Sequence, residues 1–396
     1  MQSNRDFYLI YPLGLANLGL SELNEKWNDH FPDSTLLVKS VDFGGILISC
    51  ELSHGLLLNH ILKTPTRILL RIAEFKARDF PKLFNKISKL PWKDYLLGQC
   101  PEVEAASTNS KLFDSRKISK AIIDGVMECY KKQPVKKKFL DLASNTEIQK
   151  YFPTIYYRSV DDLVTISIDT TGERLHKRGE KIFTGLAPIR ESFAAILLRA
   201  LTQDLASIQD FTLIDPMCGS GTFLIEAHDQ NTINTDRSFA YQYFPIAIDD
   251  AQLKTTLIQL HQTSEDKYKN SFKKLLGFEI NPEIVELAQK NCGDKKISIK
   301  EADLFKSNKD GIFNQQNIVI INPPYGHRIG EKSEITLSYY THLISTINKV
   351  YAPERLGIII PDEYCYKPDR KELRSSFAFK NGGIPVTFFV LDRLGS

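Results

Sequence analysis

The run Ile318-Val-Ile-Ile321, closed by Asn322-Pro-Pro-Tyr325-Gly326, constrains the fold more than any other stretch. Four consecutive apolar, β-branched residues offer no solvent face, so they read as a central strand of a parallel sheet. The two prolines that follow forbid both strand pairing and an immediate helix, and the chain must leave the sheet as a stiff loop. Asn322 and Tyr325 then sit at the carboxyl end of a strand, where open α/β sheets place their ligands. The amide oxygen of Asn322 and the carbonyl of Pro323 can accept the two hydrogens of an NH2 group. The ring of Tyr325 can stack on the planar group that carries it. Taken alone, the stretch is equally compatible with a tight strand exit that performs no chemistry.

Earlier segments repeat the theme. Thr212-Leu-Ile-Asp215 ends a strand, Pro216-Met-Cys218-Gly219-Ser220-Gly221-Thr222 forms a glycine turn, and Phe223 to His228 opens a helix. That is the first unit of a doubly wound sheet. The spacing is not GxGxxG and no P-loop lysine follows, so neither NAD nor ATP is expected. A second strand, Leu275 to Phe278, ends at Glu279-Ile280-Asn281-Pro282, which places a carboxylate to accept the two hydroxyls of a ribose. A third, Ile297 to Lys300, ends at Glu301-Ala-Asp303-Leu304-Phe305, where Asp303 can accept an adenine amine. The strand at 318–321 is the fourth and Leu356 to Ile360 the fifth. Asn381-Gly382-Gly383 turns into a last strand, Val386 to Leu391. Singly, Asp215 could cap a helix, and Glu279 and Asp303 could be surface acids. Their order at successive strand ends carries the reading.

The N-terminal part has another texture. Phe7 to Tyr11 reads as a strand, Leu18 to Trp27 as a helix, and Thr35 to Val41 and Gly45 to Leu52 as strands around a Gly44-Gly45 turn. This suits a ferredoxin-like α+β unit completed by a later segment. Ile68 to Phe75 reads as a strand and Phe80 to Ile87 as a helix. Ser115 to about Tyr130 reads as a helix with Ile118, Ile122, Val126 and Cys129 on one face, and Val164 to Thr170 as a strand. Between Lys63 and Lys138, 18 Lys and Arg stand against 8 Asp and Glu. The chain's net charge is only +3, so the remainder is acidic. A basic module joined to an acidic one suggests an anionic polymer as partner, although a solvated lysine-rich surface has the same composition. The expected division is 1–60 ferredoxin-like, 61–170 a basic module, 171–190 a polar linker and 191–396 a Rossmann-like domain. The six cysteines are scattered, without metal-ligand or disulfide spacing, and no apolar run reaches the length of a membrane span. These features fit a cytoplasmic protein with no metal and no membrane association.

The order Asp215, Gly219-x-Gly221, Glu279, Asp303, Asn322-Pro-Pro-Tyr325 resembles the class I S-adenosyl-L-methionine (SAM)-dependent amino-methyltransferases. Asp169-Thr-Thr-Gly-Glu-Arg-Leu-His-Lys-Arg-Gly179, Ala187-Pro-Ile-Arg-Glu191 and Asp215 to Thr222 resemble more narrowly the bacterial RNA guanine-N2 methyltransferases that carry a THUMP domain. Ser107-Thr-Asn-Ser-Lys-Leu-Phe113 with Ser115-Arg116 is similar to their THUMP segment, and Arg237-Ser-Phe-Ala-Tyr241 to their insertion after the first helix. The resemblance implies that 61–170 is a THUMP RNA-binding domain. It implies SAM as cofactor and structured RNA as partner, ribosomal RNA favoured over transfer RNA, with no obligate protein partner. It implies cofactor-binding roles for Thr184, Pro188, Asp215, Cys218, Gly219, Gly221, Thr222, Glu279, Ile280, Asp303, Leu304 and Asn322. The catalytic residues would be Asn322, Pro323, Pro324 and Tyr325. RNA would be held by Lys111, Arg116, Lys117, Lys120, Lys131, Lys132, Lys136, Lys137 and Lys138. One departure stands out: the family follows its loop with Glu-Arg, whereas this chain has His327-Arg328. Rival readings are a DNA adenine-N6 methyltransferase, a protein glutamine methyltransferase, and an RNA-binding protein whose methyltransferase fold is silent.

Overall fold

The computed structural model describes residues 4–178, 189–235, 237–263, 271–307, 316–326 and 335–393. They fall into two compact units, one of Met1–Tyr11, Asn24–Lys177 and Ile233–Thr263, the other of Pro12–Leu23, Arg178–Thr232 and Ser264–Ser396.

The first unit begins with β1 (Arg5–Ile10), α1 (Ala16–His30, running across the division at Leu23), β2 (Leu37–Asp42), β3 (Gly45–Cys50), α2 (Leu52–Ile61) and β4 (Arg67–Lys76). β1 lies between β3 and β4 and is antiparallel to both. With α2 and β4 the βαββαβ order of a ferredoxin-like unit is complete, and β4 lies beyond residue 60. The sheet continues past it. After α3 (Phe80–Ile87), β5 (Glu102–Thr108), α4 (Ser115–Lys132), α5 (Lys137–Ala143) and α6 (Thr146–Gln149), the strands β6 (Thr154–Val160) and β7 (Leu163–Asp169) extend it. The result is one seven-stranded sheet ordered β2-β3-β1-β4-β7-β6-β5.

The expected strand through Leu52 stops at Cys50, because Leu52 opens α2. Nine of the ten α2 residues are buried, so the helix has no apolar stripe by which to recognise it. Gly55 is required there, since a Cβ would lie 2.1 Å from the Phe7 ring. The α4 face expected from periodicity is present, with Ile118, Ile122, Val126 and Cys129 buried. Asp114 caps this helix through the Arg116 and Lys117 amides at 3.1 and 3.2 Å.

After β7 the chain enters the second unit with α7 (Glu191–Thr202), β8 (Thr212–Asp215) and α8 (Thr222–Asp229). It then returns to the first unit for Ile233–Thr263, which carries α9 (Pro245–Ile248) and α10 (Ala251–Thr263). The sequence reading left this insertion within 191–396. Its aromatic residues explain the excursion: Phe239, Tyr241 and Phe244 are at most 1% exposed. His60 of α2 donates from Nδ1 to the Asn234 carbonyl at 2.7 Å and accepts the Tyr241 hydroxyl at Nε2 at 2.8 Å. Arg237 donates to the carbonyls of Thr171, Glu173, Arg174 and Lys177. These carbonyls lie within residues 171–177, part of the stretch expected as a polar linker.

The second unit resumes with β9 (Lys274–Glu279), α11 (Pro282–Cys292), β10 (Ile297–Glu301), β11 (Asn317–Ile321), α12 (Leu337–Tyr351), β12 (Arg355–Pro361), β13 (Leu373–Asn381) and β14 (Ile384–Asp392). The sheet order is β10-β9-β8-β11-β12-β14-β13. The first five strands in that order run parallel, and β14 is antiparallel to both neighbours. Every residue of β8, β11 and β12 is buried. β8 leads toward β9 on one side and β11 toward β12 on the other. The switch point, where such sheets hold ligands, thus lies between β8 and β11.

Candidate active site

The glycine turn after β8 is shaped by backbone needs. Gly219 and Gly221 have φ of +52° and +85°, a region costly for residues with a Cβ. A side chain at Gly219 would meet no protein atom within 4 Å, so this face of the turn is open to a ligand. The Cys218 amide donates to the Phe278 carbonyl at 2.9 Å, which ties the turn to β9.

Asp215 is 2% exposed and accepts the Met217 amide at 3.2 Å. Burial pushes its carboxyl up to about 8; the Met217 hydrogen bond opposes the rise and the negative charge of Glu279 adds to it. Glu279, at the end of β9, accepts the Gly219 amide at 3.2 Å and the Ile280 and Asn281 amides at 3.0 and 3.1 Å. Three of roughly four lone-pair sites are thereby used, so gripping both hydroxyls of a ribose requires exchanging backbone contacts. Ile280 beside it is 62% exposed, an apolar surface beside the carboxylate. Asp303, beyond β10, accepts the Phe305 amide at 3.0 Å and pairs with Lys306 at 3.1 Å. It caps its own turn and keeps lone pairs for a further donor.

The loop after β11 is caged by hydroxyls. Tyr340 of α12 donates to the Pro324 carbonyl at 3.2 Å, and Tyr364 donates to the Tyr325 carbonyl at 2.9 Å. The Tyr325 hydroxyl donates to Asn322 Oδ1 at 2.6 Å and receives Asn381 Nδ2 at 2.9 Å. Burial raises the Tyr325 phenol to about 12, against a lowering by the Asn381 hydrogen bond. The phenol edge is thus engaged within the protein, and stacking is left to the ring face. Neither Tyr340, Tyr364 nor Asn381 was picked out by sequence. Asn381 showed only as the residue before a Gly-Gly turn.

Two residues expected to contact the cofactor have side chains turned into the protein. The Leu304 side chain is 4% exposed and belongs to the core built around β11, β12 and α12, so only its backbone can face a ligand. The Cys218 thiol lies 3.0 Å from where a Gly277 Cβ would stand, so it packs against β9. Thr222 begins α8 and is buried. Thr184, Pro188 and His327 lie outside the described residues. Among the described residues, no cluster of His, Cys, Asp or Glu could hold a metal, and no helix is long and apolar enough to cross a membrane.

All nine basic residues expected to meet RNA are exposed. Five have carboxylate neighbours: Lys117 with Asp114, Lys120 with Asp124, Lys131 and Lys132 with Glu128, and Lys138 with Asp249 at 2.6 Å. Lys111, Arg116, Lys136 and Lys137 form no ion pair among the described residues. Between Lys111 and Arg116, Phe113 is 79% exposed. The loop displaying it is fastened by Ser107 Oγ to the Leu112 carbonyl at 2.6 Å and by the Lys111 amide to Asp162 at 2.8 Å.

A family model described as RMKL-like, methyltransferase domain matches residues 178–374, and one described as THUMP domain matches 77–158. The chain carries a THUMP domain and an RMKL-like methyltransferase domain. The relatives include the ribosomal RNA large subunit methyltransferases K/L of Colwellia psychrerythraea (strain 34H / ATCC BAA-681) and Cellvibrio japonicus (strain Ueda107). The first is 27% identical over 74% of this chain and 41% of its own length, the second 28% over 80% and 43%. The chain spans about half the length of the curated relatives it matches. Among solved structures, SMU.472 in complex with SAH is 22% identical, with a TM-score of 0.76 over 100% of both chains. A predicted N6-adenine-specific DNA methylase from Listeria monocytogenes str. 4b F2365 is 23% identical, with a TM-score of 0.74 over 98% of this chain and 96% of its own. TrmN from Thermus thermophilus is 16% identical, with a TM-score of 0.64 over 98% and 99%. These likenesses establish the fold: the methyltransferase domain has the class I Rossmann-like architecture.

Proposed function

We propose that this chain methylates the exocyclic N2 amine of a guanosine in structured RNA, with SAM as donor. One observation carries the reading. Asp215, Glu279, Asp303 and Asn322 stand at or just beyond the carboxyl ends of four neighbouring strands, beside an open glycine turn at the switch point. The relatives named as ribosomal RNA methyltransferases, the THUMP match and the basic surface of the first unit support RNA over other acceptors.

The residues present fit that donor. The open face at Gly219 would admit its methionine end beside Asp215, while Gly221 packs against Ile299, Cys292 and Ile225 and supplies only the turn's left-handed backbone. Glu279 would take the ribose, and Ile280 and Asp303 would flank and bond the adenine. The donor supplies a methyl group already activated on a sulfonium, so the protein's contribution is mainly alignment. A guanine turned out of its stack brings its NH2 to the loop after β11. Asn322 Oδ1 keeps a second lone pair after the Tyr325 hydrogen bond. That lone pair and the Pro323 carbonyl accept the two amine hydrogens. This would favour a pyramidal nitrogen with its lone pair toward the methyl group; as the N–C bond formed the C–S bond would break, and the surplus amine proton would pass to solvent. The face of Tyr325 stacks on the base, a contact worth about 1–3 kcal/mol. Lys111, Arg116, Lys136 and Lys137 contact phosphates, and Phe113 stacks on an unpaired base beside them.

Nucleoside mass spectrometry of RNA from cells with and without the protein tests the proposal. Loss of N2-methylguanosine on deletion, restored by the gene, is the expected result. A change in N6-methyladenine of DNA would favour the reading suggested by the name of the Listeria protein. No change in any nucleoside, with RNA still bound, would leave the silent RNA-binding reading.

A further inference from the structure

We propose that Asn381 is a positioning residue that dictates which end of the Asn322 carboxamide faces the substrate amine. The inference rests on methyl transfer to an amine, as proposed above. Its basis is a three-residue hydrogen-bond chain with one sense. Asn381 Nδ2 donates to the Tyr325 hydroxyl at 2.9 Å, and that hydroxyl donates to Asn322 Oδ1 at 2.6 Å. An amide nitrogen offers hydrogens and no lone pair, so the phenol cannot donate back to Asn381. Its single proton must go to Asn322, and the atom it meets there has to be the oxygen. If Asn322 were flipped, its NH2 would bring a second donor to the phenol, and the phenol proton would lose its acceptor. Accepting one hydrogen bond also polarises the hydroxyl and strengthens the one it donates.

The fold keeps Asn381 in place. It is the last residue of β13, paired with Ile384 across Gly382-Gly383. Both glycines have positive φ, +59° and +90°, which gives the tight turn that fixes hairpin register. At the other end of the chain, Tyr340 and Tyr364 hold the backbone carbonyls of Pro324 and Tyr325. The backbones of tip and loop are therefore both anchored, and with Asn381 Nδ2 facing the phenol the sense of the chain runs toward Asn322 Oδ1. An oxygen facing inward is what an amine donor needs.

Asn381→Asp reverses the first link. A carboxylate accepts the Tyr325 proton, the phenol oxygen then accepts from Asn322, and the carboxamide turns its nitrogen inward. We expect single-turnover methyl transfer to fall at least about tenfold, with SAM affinity within about twofold and an unchanged melting temperature. Tyr325→Phe removes the relay, so Asn381→Asp placed in that background should cost nothing beyond Tyr325→Phe alone. A second readout needs no activity. With selectively 15N-labelled asparagine, the Asn322 side-chain amide, assigned by its loss in Asn322→Asp, should shift in Asn381→Asp and stay put when the change is made on Tyr325→Phe. Equal losses in both backgrounds, or an unmoved Asn322 amide, would overturn the relay. A wild-type protein inactive on RNA would instead count against the proposed function, while the amide measurement still decides the relay.

Discussion

Replacing Asp215 by Asn tests the electrostatics of the glycine turn most directly. Its carboxyl ordinarily titrates at 3.8 and is pushed up to about 8 by burial, with Glu279 adding to the rise. The sign follows from linkage. Below about pH 4 the side chain is protonated in folded and unfolded chains alike, and it contributes no difference. Between about pH 4 and 8 only the unfolded chain ionises, so the folded state loses stability as pH rises. Above about 8 both are ionised and the loss is constant. At about 1.4 kcal/mol per unit, the accumulated loss is on the order of 3 kcal/mol at pH 6 and 6 kcal/mol at pH 8. Asn imitates the protonated carboxyl in shape and can still accept the Met217 amide. The stability of Asp215→Asn relative to the parent should therefore grow with pH and level off above 8. Urea unfolding followed by fluorescence at half-unit steps from pH 5 to 9 measures this. Parallel curves for the two proteins would mean that Asp215 is ionised in the fold and that burial does not govern its charge.

Other perturbations separate the remaining parts. Asn322→Ala should lower the single-turnover rate at least about 100-fold while leaving SAM affinity, measured by calorimetry, nearly unchanged; equal losses in both would remove the amide from the chemistry. Gly277→Ala would place a Cβ 2.7 Å from Leu224, 3.0 Å from the Cys218 thiol and 3.2 Å from Ile299. It should cost about 1–3 kcal/mol in chemical unfolding and weaken SAM binding through the displaced turn. Changing Lys111, Arg116, Lys136 and Lys137 together to Gln should reduce the slope of log RNA affinity against log salt by about 3. The same change at Lys117, Lys120, Lys131 and Lys132 should do less, because three carboxylates, one of them shared by Lys131 and Lys132, already offset most of their charge. Similar effects from the two sets, measured by fluorescence anisotropy, would contradict that distinction.

The second sheet was legible in sequence because its central parallel strands, β8, β11 and β12, are short apolar runs, and β9 and β10 end in acidic residues ahead of a turn. Asp215, Glu279 and the Asn322-Pro-Pro loop could thus be placed at strand ends. α2 was not legible, since a helix buried on almost every side has no periodicity to display. β5 and β6 were missed for a related reason: half-buried, polar-rich strands look like loops. Tyr340, Tyr364 and Asn381 reach the loop from α12, from beyond β12 and from a hairpin tip. Only tertiary packing brings such distant positions together, so no local pattern announces them. At Leu304 the sequence marked a position beside Asp303 but gave no sign that its side chain enters the core.

The excursion of Ile233–Thr263 has a consequence for how the protein is made. A ribosome delivers the chain from one end, and the first unit is short of Phe239, Tyr241 and Phe244 until roughly residue 263 emerges. At about 5–20 residues per second, the delay after Lys177 is roughly 4–17 s. During that wait β8 and α8 are already outside, with none of the later parallel strands to cover them. Two half-built bodies must mature together, so dissecting this molecule into separately expressed halves at the Lys177–Arg178 junction would strand the aromatic anchors on the wrong piece.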